Sequence, residues 1–365
     1  MRIVPSLLRA IAIPMLAGWV ILPAAVGTFA QDRDEELKPL VVTPAEVDQD
    51  AARESKVLYR KAWSGHKAIA LEKSKLAYRA AADQHANRAA ADQQAAAAKA
   101  AAASAQSPVR YPGDLDNNGG TVVEFAASHD IYMRPNGNCP ISTCWGNPEQ
   151  FLRDFASSEM IHITDQYVGQ RSSNRYTLGR SASVSFTPSA TTPLLDSDIQ
   201  AVVHAVASRT GQTGYRHIYH VFVPKGQDVC TDSTRAICAS NTFCAYHSSV
   251  DFQDIGHVLY SVDPYANVQG CQVRPGTPNG MLADSTNDNL AHELLEVITD
   301  PDGTAWWNIT GLGMLGEEIG DECVFVLFVG TMDMFSDPAI ISLNGRKYAL
   351  QPEYNNRVHG CSLAP

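Results

Sequence analysis

One stretch limits what this chain can fold into more than any other: an apolar helix that carries three adjacent ionisable groups. It is centred on His292-Glu293-Leu294-Leu295-Glu296. Ser285 with Asp288 three residues on reads as a capping box, and Asp300-Pro301-Asp302-Gly303 is a stop, so the spacing predicts a helix over Thr286–Ile298. At about 100° per residue, Val297, Leu290, Leu294, Ile298, Ala291 and Leu295 share one broad arc, and His292, Glu296 and Glu293 fall in the narrow stripe left over. So apolar a helix is expected to be buried. Three buried ionisable groups must be paired, protonated or bound to a metal.

The spacing favours a metal. Positions i and i+4 lie one above the other, so His292 and Glu296 can face one ion while Glu293 stands beside it as a general base for an attacking water. This is the geometry of H-E-x-x-H zinc hydrolases with the second His replaced by Glu. The next acidic cluster offers third ligands. Glu317-x-x-x-Asp321 resembles the E-x-x-x-D of thermolysin-like enzymes, and Glu318 fits nearly as well. A His/Glu/Glu set makes zinc a weaker Lewis acid than His/His/Glu and also suits manganese or calcium. The plain alternative is chance: H-E-x-x-E arises in on the order of a few per cent of chains this long, mostly on solvated helices. The apolar remainder of this helix and the downstream acids argue against that.

Further words follow in order: Asp300-Pro301, Ala305-Trp306-Trp307, Glu318-Ile319-Gly320-Asp321-Glu322-Cys323, and a terminal stretch from Arg346 to Cys361. With the His292–Glu296 motif, Gly119-Gly120-Thr121-Val122 and Phe243-Cys244-Ala245-Tyr246-His247, they resemble the EXORDIUM/phosphate-induced family of secreted proteins. The resemblance covers about Tyr111 to Cys361. It implies Glu318 rather than Glu317 as third ligand, with Asp321 as an alternative ligand or support. It implies no reaction, because the family is associated with extracellular growth and stress responses. The middle segment departs in spacing and length.

Arg2 and Arg9, an uncharged stretch from Ala10 to Ala30 and the small-residue end Thr28-Phe29-Ala30 read as a signal peptide over residues 1–30. The stretch is just long enough to span a membrane as an anchor, but Pro14 and Pro23 weaken that reading, so no stable insertion is expected after cleavage. Residues 31–50 are acidic, punctuated by proline and aperiodic, and are expected to be disordered. Residues 51–107 are Ala-rich with helical preference, a stalk or a low-complexity pro-segment, and Ser104–Pro112 marks the boundary of the globular part at 108–365. A net charge of −11 with no basic run among aromatics excludes nucleic acid as an expected partner.

Asp114–Gly119 opens like an EF-hand loop, but its twelfth position is Phe125, so a turn into a strand at Thr121–Phe125 is expected instead. Helices are predicted at Phe151–Ile161 and Leu194–Ser208. Strands are predicted at His217–Val223, Gly256–Val262, Val324–Val329, Ala339–Leu343 and Arg346–Gln351. In His217–Val223, His217, Tyr219, Val221 and Val223 share a face, and His220 on the other face reads as a core histidine. In zincin-like folds an edge strand binds extended substrate by strand addition.

All eight cysteines follow the signal segment, an even count that implies disulfides. The pairing expected is Cys139 with Cys144, Cys323 with Cys361, and two bridges among 230, 238, 244 and 271. His359 is a further candidate ligand, Asn308-Ile309-Thr310 a glycosylation acceptor, and Tyr219, Tyr246 and His247 are oxyanion candidates. A Ser-His-Asp hydrolase is disfavoured because no G-x-S-x-G occurs.

The fold expected is α+β or α/β, a mixed sheet with the His292 helix at the floor of a zincin-like cleft. The function expected is a secreted or periplasmic, zinc-dependent, peptidase-like hydrolase. In it His292, Glu296 and Glu318 bind metal, Glu293 is general base, and the partner is a peptide or a cell-wall component. The rival is a non-enzymatic extracellular binding protein with a structural metal or none.

Overall fold

A computed structural model describes residues 40–42, 114–135, 139–169, 175–241, 243–267, 271–308, 318–324 and 338–365. The signal segment, the Ala-rich segment, Glu317 and the strand expected at 325–329 lie outside them.

Seven strands make one sheet: β1 (Leu40–Val42), β2 (Ala126–Pro135), β3 (Tyr176–Leu178), β4 (Ala182–Phe186), β5 (His217–Phe222), β6 (Tyr246–Phe252) and β7 (Gly256–Asp263). Their order is β1-β4-β2-β5-β7-β6, with β3 beside the start of β2. Every pairing is parallel except that of β6 with β7. The fold is thus a mixed sheet with helices, as expected, and β1 is a correction: it falls inside the segment read as disordered.

A parallel sheet needs cover on both faces, and its central strands alternate accordingly. Along β5, Tyr219 and Val221 join a cluster with Ile199, Val202 and Val206 of α2 (Asp196–Thr210). Ile218 and Phe222 join the opposite cluster with Phe151 and Phe155 of α1 (Pro148–Ala156) and Leu290, Leu294 and Leu295 of α3 (Met281–Thr299).

The helix α3 starts five residues earlier than the capping-box reading placed it. Gly280, at φ 87°, occupies the N-cap position, while the Ser285 hydroxyl donates to Met281 O and accepts from Val273 N. Its far end is as expected: Asp300 N–H bonds Glu296 O, and the Asp300 carboxylate accepts Thr304 N and Ala305 N, both at 2.6 Å. The polar run Asp284–Asn289 is buried under the hairpin formed by Ala339–Leu343 and Arg346–Leu350. Asp288 accepts Gln351 N there at 2.7 Å.

No strand forms at Thr121–Phe125. That segment spends its backbone groups on the end of α3: Gly120 N bonds Thr304 O, Val123 N bonds Ile298 O, and the ladder starts only at Ala126. The strand expected at Gly256–Val262 exists but is interior, and the edge is β6. Val324, read as the start of a strand, closes the short helix Asp321–Val324.

The disulfides are Cys139–Cys144, Cys230–Cys238, Cys244–Cys271 and Cys323–Cys361. The first and last are the pairs expected, and the other two fall among 230, 238, 244 and 271 as expected. No helix among the described residues is long and apolar enough to cross a membrane.

Candidate metal centre

The middle of α3 faces a cluster drawn from three parts of the chain. His292, Glu293 and Glu296 are 2%, 0% and 1% exposed, so the ionisable stripe is as buried as the apolar arc beside it. His292 Nε2 lies 3.0 Å from Glu296 Oε1 and 3.4 Å from Asp321 Oδ1. Glu318 lies near Glu296 too, but on the side of a residue from the sheet edge, His247 of β6. His247 Nδ1 is 3.4 Å from both Glu293 Oε2 and Glu296 Oε2, and its Nε2 is 3.5 Å from Glu318 Oε1.

Each contributor is held by a local device. Glu318 to Asp321 form a turn entering the Asp321–Val324 helix. That turn is fastened by Tyr354 N to Ile319 O, by Gln351 Nε2 to Gly320 O, and by the Cys323–Cys361 bridge. Gly320 has to be glycine, since a Cβ there would stand 2.5 Å from His292 Nδ1. The His247 ring is fixed by Nε2, 3.2 Å from Asp300 O, a contact in which Nε2–H donates and Nδ1 is turned toward the glutamates.

The electrostatics follow from burying so many carboxylates together. Burial, then the Glu296 charge, pushes Glu318 well above the usual carboxylate range. Burial works against a charged His247, but Glu318, Glu293 and Glu296 outweigh it and raise the imidazole well above its ordinary value. Asp300 is raised to about 6, chiefly by burial and against the Ala305 and Thr304 N–H groups.

The donor set fits a divalent ion. A tetrahedral ion with bonds of about 2.0–2.2 Å sets its ligands about 3.3–3.6 Å apart, whereas a charge-assisted hydrogen bond is about 2.7–2.9 Å long. The 3.4 Å separations at His247 Nδ1 and between His292 and Asp321 belong to the first range, and the 3.0 Å between His292 Nε2 and Glu296 Oε1 falls between the two. Two groups of three, His292/Glu293/Glu296 and His247/Glu296/Glu318, each bring ligand atoms within 4.8 Å of one another.

No family model, curated protein or solved structure matches this chain. The centre therefore has to be read from its own geometry.

Sequence reasoning named His292, Glu293, Glu296, Glu318 and Asp321, and all five meet here. It missed His247 as a member of the metal cluster, having weighed it only as an oxyanion group. Alternation could have placed its side chain: Tyr246, Val250 and Phe252 belong to the α2-side cluster, so His247 points to the α3 side. Four other candidates are corrected. Tyr219 donates to Gln212 O, and Tyr246 donates to Asp196 at the α2 layer, so neither reaches the centre. His359 is 61% exposed and pairs with Asp114 at 2.9 Å. Asn308 is wholly buried with its amide on Glu322 at 2.8 Å, which leaves no room for a glycan. His220 is the core histidine expected, 2.8 Å from Ser261 Oγ and lowered to about 3 by burial and then by His129.

Proposed function

We propose that this chain is a secreted, zinc-dependent hydrolase of peptide bonds, zincin-like in organisation and related to the EXORDIUM family. The observation that carries the proposal is the buried convergence of His292 Nε2, Glu296 Oε1 and Asp321 Oδ1 with Glu293 on the same helix. The family's shared words support it as well: the α3 motif, the Asp300 turn, the Glu318–Cys323 turn and the C-terminal strands all pack around that point. Four disulfides fit an oxidising compartment, extracellular or periplasmic.

A zinc ion on His292, Glu296 and Asp321 or Glu318 would polarise the scissile carbonyl and acidify a water. Glu293, on the same helix, would take a proton from the attacking water and pass it to the leaving amine. The Glu318–Cys323 turn, bonded to Gln351 and Tyr354, keeps Asp321 against His292. Along the sheet edge, β6 has no partner strand on its outer side among the described residues, so its backbone groups can pair with an extended peptide that passes over His247.

The reading is tested by metal content of the purified protein beside Glu296→Ala and Glu293→Gln. Zinc lost from Glu296→Ala but kept in Glu293→Gln, with peptide-library cleavage absent from both variants, is the expected result. Absence of metal from all three sinks the hydrolase reading. A second reading, a non-enzymatic binding protein with a structural ion, is favoured by one fact: His292, Glu293 and Glu296 are almost fully shielded. A zinc closed by four protein ligands, with no position exchangeable for water, would establish that second reading instead.

A further inference from the structure

The centre holds more negative charge than one ion balances. Glu293, Glu296, Glu318 and Asp321 lie together with two histidines, and three of the four carboxylates are less than 9% exposed. When all four are ionised, a single divalent cation beside neutral imidazoles leaves a net charge of about −2 in a region where unbalanced charge is costly. Either His247 supplies a positive charge as imidazolium, or a second cation is present.

The distances separate the two. An imidazolium clamped by carboxylates would sit about 2.7–2.9 Å from them. His247 Nδ1 instead stands 3.4 Å from Glu293 and 3.4 Å from Glu296, the spacing of ligands around a common ion, and Glu318 groups with His247 and Glu296. Glu318 Oε1 is shut off from solvent and receives no hydrogen bond from the described residues, so a cation there would satisfy its lone pairs.

The Glu296 carboxylate divides between the two histidines. Oε1 is 3.0 Å from His292 Nε2, and Oε2 is 3.4 Å from His247 Nδ1. A carboxylate that offers one oxygen to each of two ions bridges them, and ions bridged in this way sit about 3.5–4 Å apart. Ring orientation agrees, because the His247 Nε2 contact with Asp300 O leaves Nδ1 for an ion.

We infer that the centre binds two divalent cations bridged by Glu296, one on His292 and Asp321 and the other on His247 and Glu318. Four carboxylates then balance two dications. The nitrogen-and-oxygen donors, with no thiolate, suit zinc or manganese. The inference rests on the proposed metal centre but concerns its nuclearity, so the two can fail separately.

The test uses the full chain dialysed against zinc, with metal counted per chain, and a parallel manganese-loaded sample examined by electron paramagnetic resonance. Two equivalents in the wild type, one in His247→Ala and one in Asp321→Asn are expected. The manganese spectrum should show a coupled pair in the wild type and an isolated ion in either variant. The wild-type spectrum needs no variant, so misfolding of His247→Ala does not obscure the answer. One equivalent with an uncoupled spectrum overturns the second ion and makes His247 the balancing imidazolium, while the single-ion hydrolase stands. No metal at all overturns both.

Discussion

Replacing Gly320 by alanine adds one methyl group and removes none of the proposed ligands, so it isolates how tightly the turn carrying Glu318 and Asp321 is fitted to α3. The new Cβ would lie 2.5 Å from His292 Nδ1, 2.8 Å from Cε1 and 2.9 Å from Cγ. Ordinary contact begins near 3.4 Å, so ring and turn must part by about 0.9 Å. The backbone at Gly320 is not in the positive-φ region, and the clash is therefore the main perturbation. Metal–ligand distances tolerate about 0.2 Å, so this displacement is several times what coordination by His292 and Asp321 can absorb. Overpacking of this kind costs about 1–3 kcal/mol of stability, and disturbing the support of a ligand costs about 10–100-fold in metal affinity. Gly179→Ala is the matched control, since its Cβ would lie 2.2 Å from His129 Cε1, against a histidine outside the metal cluster. Both variants are expected to melt at lower temperature without metal, but only Gly320→Ala should lose metal to a competing chelator at least ten times more readily. Equal metal affinity in Gly320→Ala and the wild type would refute the claim that this turn positions the ligands.

Removing the Cys323–Cys361 bridge with paired serines opens a span of 38 residues, and chain entropy puts the loss at about 4 kcal/mol. Because that bridge also tethers the Asp321 turn, metal affinity should fall with it. The Cys230–Cys238 pair, spanning 8 residues, should cost about 2.5 kcal/mol and leave metal content unchanged; chemical denaturation with metal titration of both variants checks the contrast. Asp130 is buried beneath α1 and raised to about 8, chiefly by burial, so the folded state keeps a proton that the unfolded chain releases above about 3.8. Its contribution is therefore present below pH about 4 and is lost as pH rises toward about 8. Asp130→Asn should stabilise the protein at neutral pH and change little near pH 4; denaturation curves at the two pH values that shift equally would contradict this.

The local features were legible because they depend on neighbours in sequence. The α3 stripe follows from an i, i+4 spacing within an apolar helix, and its stop follows from an Asp-Pro-Asp-Gly turn. The disulfides of close cysteines follow from short spans, and the face alternation of β5 from a period of two. The start of α3 differs from the reading for an instructive reason: Ser285 has the right chemistry for a cap, but a loop residue 12 positions earlier in the chain, Val273, claims its hydroxyl. The buried polar run Asp284–Asn289 looks like a solvated first turn until the C-terminal hairpin is laid over it.

The sequence by itself determined that a buried helix carries a histidine and two glutamates in one stripe, that acidic residues about 20–30 positions on could join them, and that eight cysteines staple the surrounding chain. Tertiary structure alone decided which acid meets which histidine. His247 is 45 residues before His292 and reaches Glu293 and Glu296 of the same helix only because β6 folds back antiparallel to β7 and becomes the edge of the sheet above α3. Strand order is a long-range choice, set by which apolar faces can be covered together, and no local period records it. The division of Glu296 between two histidines is a consequence of that choice.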